Sequence, residues 1–171
     1  EQMGIKRIVD TSFWTDPDVV DSYSCEDKYF MLYLLTNPHT KQCGIYSLPK
    51  KYIGFEMGYS AETVNTLIDR FGRQYKKIVY NKDTQDIAVL NSLKHNVVKG
   101  GKPVEDCIKK DLSEVKDGKL IQKTYEHLLD FWNVSNRHFD QNIKIIFEEA
   151  IKKESSKERI NDNDNDNDND N

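Results

Sequence analysis

The stretch Ser60-Ala61-Glu62-Thr63-Val64-Asn65-Thr66-Leu67-Ile68-Asp69-Arg70-Phe71 decides the fold. Val64, Leu67, Ile68 and Phe71 fall at i, i+3, i+4 and i+7, one face of an α-helix without a miss. Ser60 makes a good N-cap, because its hydroxyl can accept from an unpaired N–H of the first turn. Glu62 suits the positive end of the helix dipole. The other face carries Ala61, Glu62, Asn65, Thr66, Asp69, Arg70 and Arg73, a set rich in hydrogen-bonding groups and poor core material.

Upstream, Gly58 marks a turn. The residues before it read as a second helix through Lys50, Lys51, Tyr52 and Ile53 to Phe55, with Ser47 as the expected N-cap and Pro49 in the first turn. Gly44-Ile45-Tyr46 reads as a very short strand. A first helix is expected from Ser24, with Glu26 and Asp27 in its first turn and Asn37-Pro38 ending it. Its run from Tyr29 to Leu35 is almost wholly apolar, so it should be buried. Asp10, Asp16, Asp18 and Asp21 surround Pro17 in what reads as a loop. Caps and turns explain them better than a metal-nuclease cluster does. Phe13-Trp14 is expected to tuck under the helical core.

Downstream, Lys76–Tyr80 and Ile87–Leu90 are β-branched runs around a polar turn, an antiparallel hairpin. Helix, short strand, helix, turn, helix, hairpin is the order of a winged helix. The expected fold is α+β, mainly α: a winged helix-turn-helix over residues 1–98, followed by C-terminal helices. Residues 99–103, Lys-Gly-Gly-Lys-Pro, read as a linker, and 104–154 as a helical appendage. The appendage has helical stripes at Ile108, Leu112 and Val115, then at Leu120, Ile121, Tyr125, Leu128, Leu129 and Trp132. A third, with Ser135 as its expected cap, runs through Phe139, Ile143, Ile146, Phe147, Ala150 and Ile151. These stripes must pack on the winged helix or on a partner chain. Residues 155–171 are expected to be a disordered tail, because the strict Asn-Asp alternation from Asn161 has no apolar group to offset ordering. It reads as a spacer, or else as an acidic decoy for basic residues.

The formal net charge of −4 hides a division along the chain. Residues 1–40 carry 3 basic and 7 acidic side chains, residues 41–110 carry 13 and 7, and residues 111–160 carry 9 and 10. The tail adds five aspartates. The middle of the chain, at +6, is where a polyanion would be attracted.

Several classes find no support. No apolar stretch approaches the ~20 residues of a spanning helix, and no signal peptide is evident, so a cytoplasmic protein with no membrane partner is expected. Glu1 and Gln2 precede Met3, which reads as the natural start. Cys25, Cys43 and Cys107 are odd in number and widely spaced, which points to reduced thiols and away from paired zinc ligands. The phosphate-binding loop, the nucleophile elbow and the His-Glu-x-x-His motif are all missing, so a non-enzymatic protein without a cofactor is expected.

The polar helix face fits duplex DNA, since a major groove admits an α-helix. Ser60, Ala61, Thr63, Asn65 and Thr66 are small or polar enough to approach base edges. Asparagine can read adenine, and alanine or a threonine methyl can touch a thymine methyl. Arg70 and Arg73, further along, would meet phosphates. Lys50, Lys51, Lys76, Lys77 and Lys82 would supply charge from the second helix and the wing. The same surface could instead bind protein, and a transcriptional regulator would use the same fold.

Lys6-Arg7-Ile8-Val9-Asp10, Phe13-Trp14-x-Asp16, Lys28-Tyr29-Phe30, Tyr33-Leu34-Leu35-Thr36-Asn37-Pro38, Gly44-Ile45-Tyr46 and Gly58-Tyr59-Ser60-x-Glu62-Thr63-Val64 form a series of blocks. With the hairpin, the series resembles the replisome-organiser or DnaD-like initiation proteins of Gram-positive bacteria and their phages. The resemblance covers residues 5–95, and Leu-Leu-Thr-Asn-Pro and Gly-Ile-Tyr are its most specific parts. It implies an N-terminal winged helix and a place in phage-type replication initiation. It also implies self-association, and a role in melting origin DNA or recruiting the replicative helicase or its loader. In such proteins the N-terminal domain can mediate oligomerisation as well as, or instead of, DNA contact. Residues 105–160 do not match the C-terminal helical domain of that family, and the helicase interaction is the part of the expectation that this departure leaves unsupported.

Overall fold

The computed structural model describes residues 4–96 and 100–166, with side chains as far as residue 161. The chain is mainly helical, with one small antiparallel sheet. A 3-10 turn over Thr11–Thr15 and helix α1, Pro17–Ser22, come first, where a loop was expected. Their caps are the aspartates: Asp10 accepts from the Ser12 N–H at 2.8 Å and Asp16 from the Asp18 N–H at 2.9 Å. Phe13 is buried, but Trp14 is 58% exposed, which corrects the expectation that both tuck inside.

Helix α2, Cys25–Thr36, opens with a reciprocal cap. Ser24 Oγ accepts from the Asp27 N–H, and Asp27 Oδ2 accepts from the Ser24 N–H, both at 3.1 Å. Phe30, Met31, Leu34 and Leu35 are buried. Strand β1 is Ile45–Ser47. Ser47 therefore belongs to a strand and does not cap the next helix. Pro49 holds that place at the start of α3, Lys50–Met57, with no side-chain hydrogen bond. Gly58 turns the chain in the left-handed region at φ 80°, and Ser60 caps α4, Ala61–Asp69, by accepting from the Thr63 N–H at 3.2 Å. A π-helical turn over Arg70–Gln74 continues α4 and delivers Phe71 to the core.

Strands β2, Ile78–Asn81, and β3, Asp86–Val89, form the expected hairpin, and β1 pairs with β3 on its other side. The register sets Ile45 opposite Ala88 and Ile78 opposite Val89. Asn81 Oδ1 accepts from the N–H groups of Asp83 and Thr84, which shapes the hairpin turn.

Every residue of β3 is buried, because the sheet is covered on both faces. Tyr46, Ile87 and Val89 join the core of α2, α3 and α4. The alternate residues Ile45, Ala88 and Leu90 join a second core. That second core is built by α5, Ser92–Asn96, α6, Lys102–Ser113, α7, Gly118–Val134, and α8, His138–Asp166. Its buried members include Ile108, Leu112, Leu120, Ile121, Leu128, Trp132, Ile143 and Phe147. Of the two destinations open to the apolar stripes, they take the sheet. The helices of 104–154 cover the sheet's second face, and Lys102 and Pro103, expected in a linker, open α6. The expected boundary at residues 98–99 lies outside the described residues.

Ser135 ends α7 instead of capping α8, and its hydroxyl donates to Asp140. Helix α8 runs through residues 155–166, part of the segment expected to be disordered. The rest of that segment, 167–171, lies outside the described residues. No helix among the described residues is long and apolar enough to cross a membrane.

Candidate nucleic-acid interface

Two glycines set the angle between α3 and α4. A Cβ on Gly54 would lie 2.9 Å from the Tyr59 carbonyl oxygen, so the turn passes too close for any side chain. Gly58 supplies the positive φ that reverses the chain. With Val64, Leu67 and Phe71 buried, α4 presents Ala61, Glu62, Asn65, Thr66 and Asp69 to solvent, with Thr63 half-buried.

Lys50 joins three elements. Its ammonium donates to Asn65 Oδ1 at 2.7 Å and sits 5.5 Å from the centroid of the Tyr80 ring. The Tyr80 hydroxyl donates to the Leu48 carbonyl at 3.0 Å, and the Leu48 N–H donates to the Gln85 carbonyl at 2.8 Å. The start of α3, the middle of α4 and the hairpin turn are thereby held together. Lys51, next to Lys50 in the chain, and Lys82, in the hairpin turn, are exposed, and the Lys51 ammonium lies 5.6 Å from the Tyr52 ring centroid. Arg73 and Lys76 are also exposed, but they follow α4 and precede β2, at the opposite end of that strand from Lys82.

Two expected phosphate contacts are engaged elsewhere. Arg70 donates to the Asp27 carboxylate, which is 2% exposed, and is itself largely covered. Lys77, 18% exposed, donates to Asp18 at 2.7 Å, at the base of the hairpin away from its tip. Arg73 pairs with Asp69 at 2.9 Å one helical turn away, in the open. Glu62 and Asp69 leave carboxylates on the α4 face, and Asp83 lies next to Lys82.

Asp27 is a hub that sequence reading saw only as a first-turn acid. It also accepts from the Tyr75 hydroxyl at 2.7 Å. Burial pushes its carboxyl up, but the hydrogen bonds from Tyr75, Arg70 and the Ser24 N–H outweigh that and hold it below the usual range. The Lys77 ammonium likewise holds Asp18 low. Gly54 also escaped notice, although a glycine four residues before another in a helix pattern is a signal of close packing.

Other reactive groups lie apart from this face. Cys25 and Cys107 are exposed, and Cys43 is buried, its thiol pushed up to about 12 by burial. Burial also pushes His95 and His127 below the ordinary imidazole value. No group of three or more potential metal ligands occurs among the described residues. No family model, curated protein or solved structure matches this chain.

Proposed function

We propose that this chain is a non-enzymatic winged-helix protein that binds duplex DNA through α4 and the hairpin. The observation that carries the reading is Lys50 spanning Asn65 of α4 and Tyr80 of the hairpin, behind an exposed polar helix. The α3–turn–α4 unit has a glycine-tight corner, and the sheet order β1-β3-β2 puts the hairpin strand β2 at the edge. Both support the helix-turn-helix and wing. A helix of this width enters a major groove, with short polar side chains at its start near base edges. Lys50, Lys51 and Lys82 then meet phosphates on either side. The protein acts in the cytoplasm, in phage-type replication initiation. Here the block resemblance is the support, and a replicative helicase or its loader is a partner to test.

The test is fluorescence anisotropy of labelled duplexes, random and origin-derived, across a salt series. Affinity falling linearly on a log–log salt plot supports the reading. No complex at low salt ends it.

A second reading has its own observation. Ile5, Ile8, Trp14 and Val20 are all more than half exposed along the N-terminal segment. Such apolar surface fits an assembly module that packs against its own copies. Light scattering that shows mass rising with concentration supports it, and a constant monomer mass excludes it.

A further inference from the structure

Asp86, the first residue of β3, is a buried acid without a partner. It lies two residues before Ala88 and so shares the sheet face that the C-terminal helices cover. The residue is 4% exposed, and among the described residues no donor reaches its Oδ2. Both cross-strand neighbours leave it so. Asn81, opposite on β2, gives its amide N–H to Asp117 at 2.8 Å and its oxygen to the turn. Ser47, opposite on β1, does not donate to Oδ2 either.

Asp86 and Ser47 line a cavity of about 190 Å³ between the sheet and the end of α6. Asp111 and Glu114 line it from α6 and the residue that follows, and Ile45 and Val115 make it partly apolar. The lysines there do not answer the buried charge. Lys41 is bonded to Glu114, and Lys116 is exposed at the rim. Asp111 accepts from the Cys43 N–H at 3.4 Å, and burial pushes its carboxyl above the ordinary range. Neither Asp86 nor Asp111 has an ion-pair partner among the described residues. A buried carboxylate left this way is costly unless a cation reaches it.

We infer that this cavity binds a guanidinium group, which donates to the Asp86 carboxylate while its charge offsets Asp111. A metal ion is the poorer match, because no three potential ligands converge among the described residues. A guanidinium spreads one charge over five donors and is weakly hydrated, which suits walls that are partly apolar. A free alkylguanidine and an arginine side chain of another protein offer the same group. No α4 residue lines the cavity, so its ligand leaves the proposed DNA-binding face open.

The test is amide NMR of the full chain titrated with ethylguanidinium, with N-acetylarginine amide, and with ethylurea as the uncharged match. Amides of residues 45–47, 86 and 111–116 should shift with the two guanidinium compounds, at a dissociation constant on the order of 1 mM, and not with ethylurea. Tighter binding of ethylguanidinium assigns a free ligand, tighter binding of the arginine compound assigns a protein side chain, and either supports the site. Asp86→Asn should weaken both about tenfold or more. Its melting temperature without ligand should equal or exceed the parent's, since a buried unpaired charge is gone. Asp111→Asn should weaken binding by a smaller factor. The site is overturned if no amide there shifts at about 10 mM ligand, well above that constant, or if ethylurea or magnesium chloride alone shifts the same amides. It is equally overturned if Asp86→Asn binds as the parent does, or melts below it, which would make the carboxylate a structural group.

Discussion

Arg70 and Asp27, 43 residues apart in the chain, form an ion pair that ties the end of α4 to the first turn of α2. The acceptor is buried and also takes the Tyr75 hydroxyl and the Ser24 N–H, so one carboxylate organises a helix cap and a helix contact together. Removing a buried partner strands the others. Asp27→Ala is expected to cost about 3 kcal/mol in urea unfolding. Arg70→Ala should cost about 1–2 kcal/mol, since its own side chain is partly solvated. DNA affinity should follow the folded fraction alone.

The same carboxylate makes stability depend on acid. Its folded value lies below the ordinary one, so the folded state binds fewer protons than the unfolded chain. The stabilisation is full above the unfolded carboxylate value of about 4 and is lost as pH falls through the folded value. Asp27→Asn should flatten the urea midpoint against pH below about 4 relative to the parent. An unchanged acid slope would remove Asp27 from this role.

At the α3–α4 corner, Gly54→Ala should destabilise by about 1–3 kcal/mol, because the added carbon meets a backbone carbonyl. Gly58→Ala should cost about 1–2 kcal/mol through its positive φ alone, with open space around it. Chemical denaturation of the two variants separates crowding from backbone strain.

Much of the framework was legible before the structure. Ser60, Gly58 and the Val64–Phe71 stripe fixed α4, and Ser24 fixed the start of α2, because caps and periodicity are local signals. The candidate site was legible only in part. Lys50 and Asn65 meet where α3, α4 and the hairpin come together, whereas Arg70 and Lys77 were taken by acids 43 and 59 residues away. Pairing over such separations leaves no local pattern. The second core escaped for a related reason: an apolar stripe says that it must be covered, not by what.

The helices after residue 100 share that core with β1 and β3, so they should not be separable. Trp132→Ala is expected to cost about 3–5 kcal/mol. A fragment ending at residue 98 should lack the cooperative thermal transition of the full chain. A fragment that melts cooperatively would restore an independent N-terminal domain.

Lys51→Ala and Lys82→Ala should each lower the slope of log affinity against log salt by about 1, if both meet phosphates. Lys77→Ala should leave that slope alone and cost stability, because its ammonium is held by Asp18. Asn65→Ala should alter preference among duplex sequences, as a base-reading side chain would.

The most direct test of α4 as the DNA-reading element is photocrosslinking to a duplex carrying 5-iodouracil, whose iodine lies in the major groove. Mass spectrometry should find the crosslink on residues 61–66 of α4. Crosslinks confined to α6, α7 or α8, with α4 unlabelled, would contradict the account.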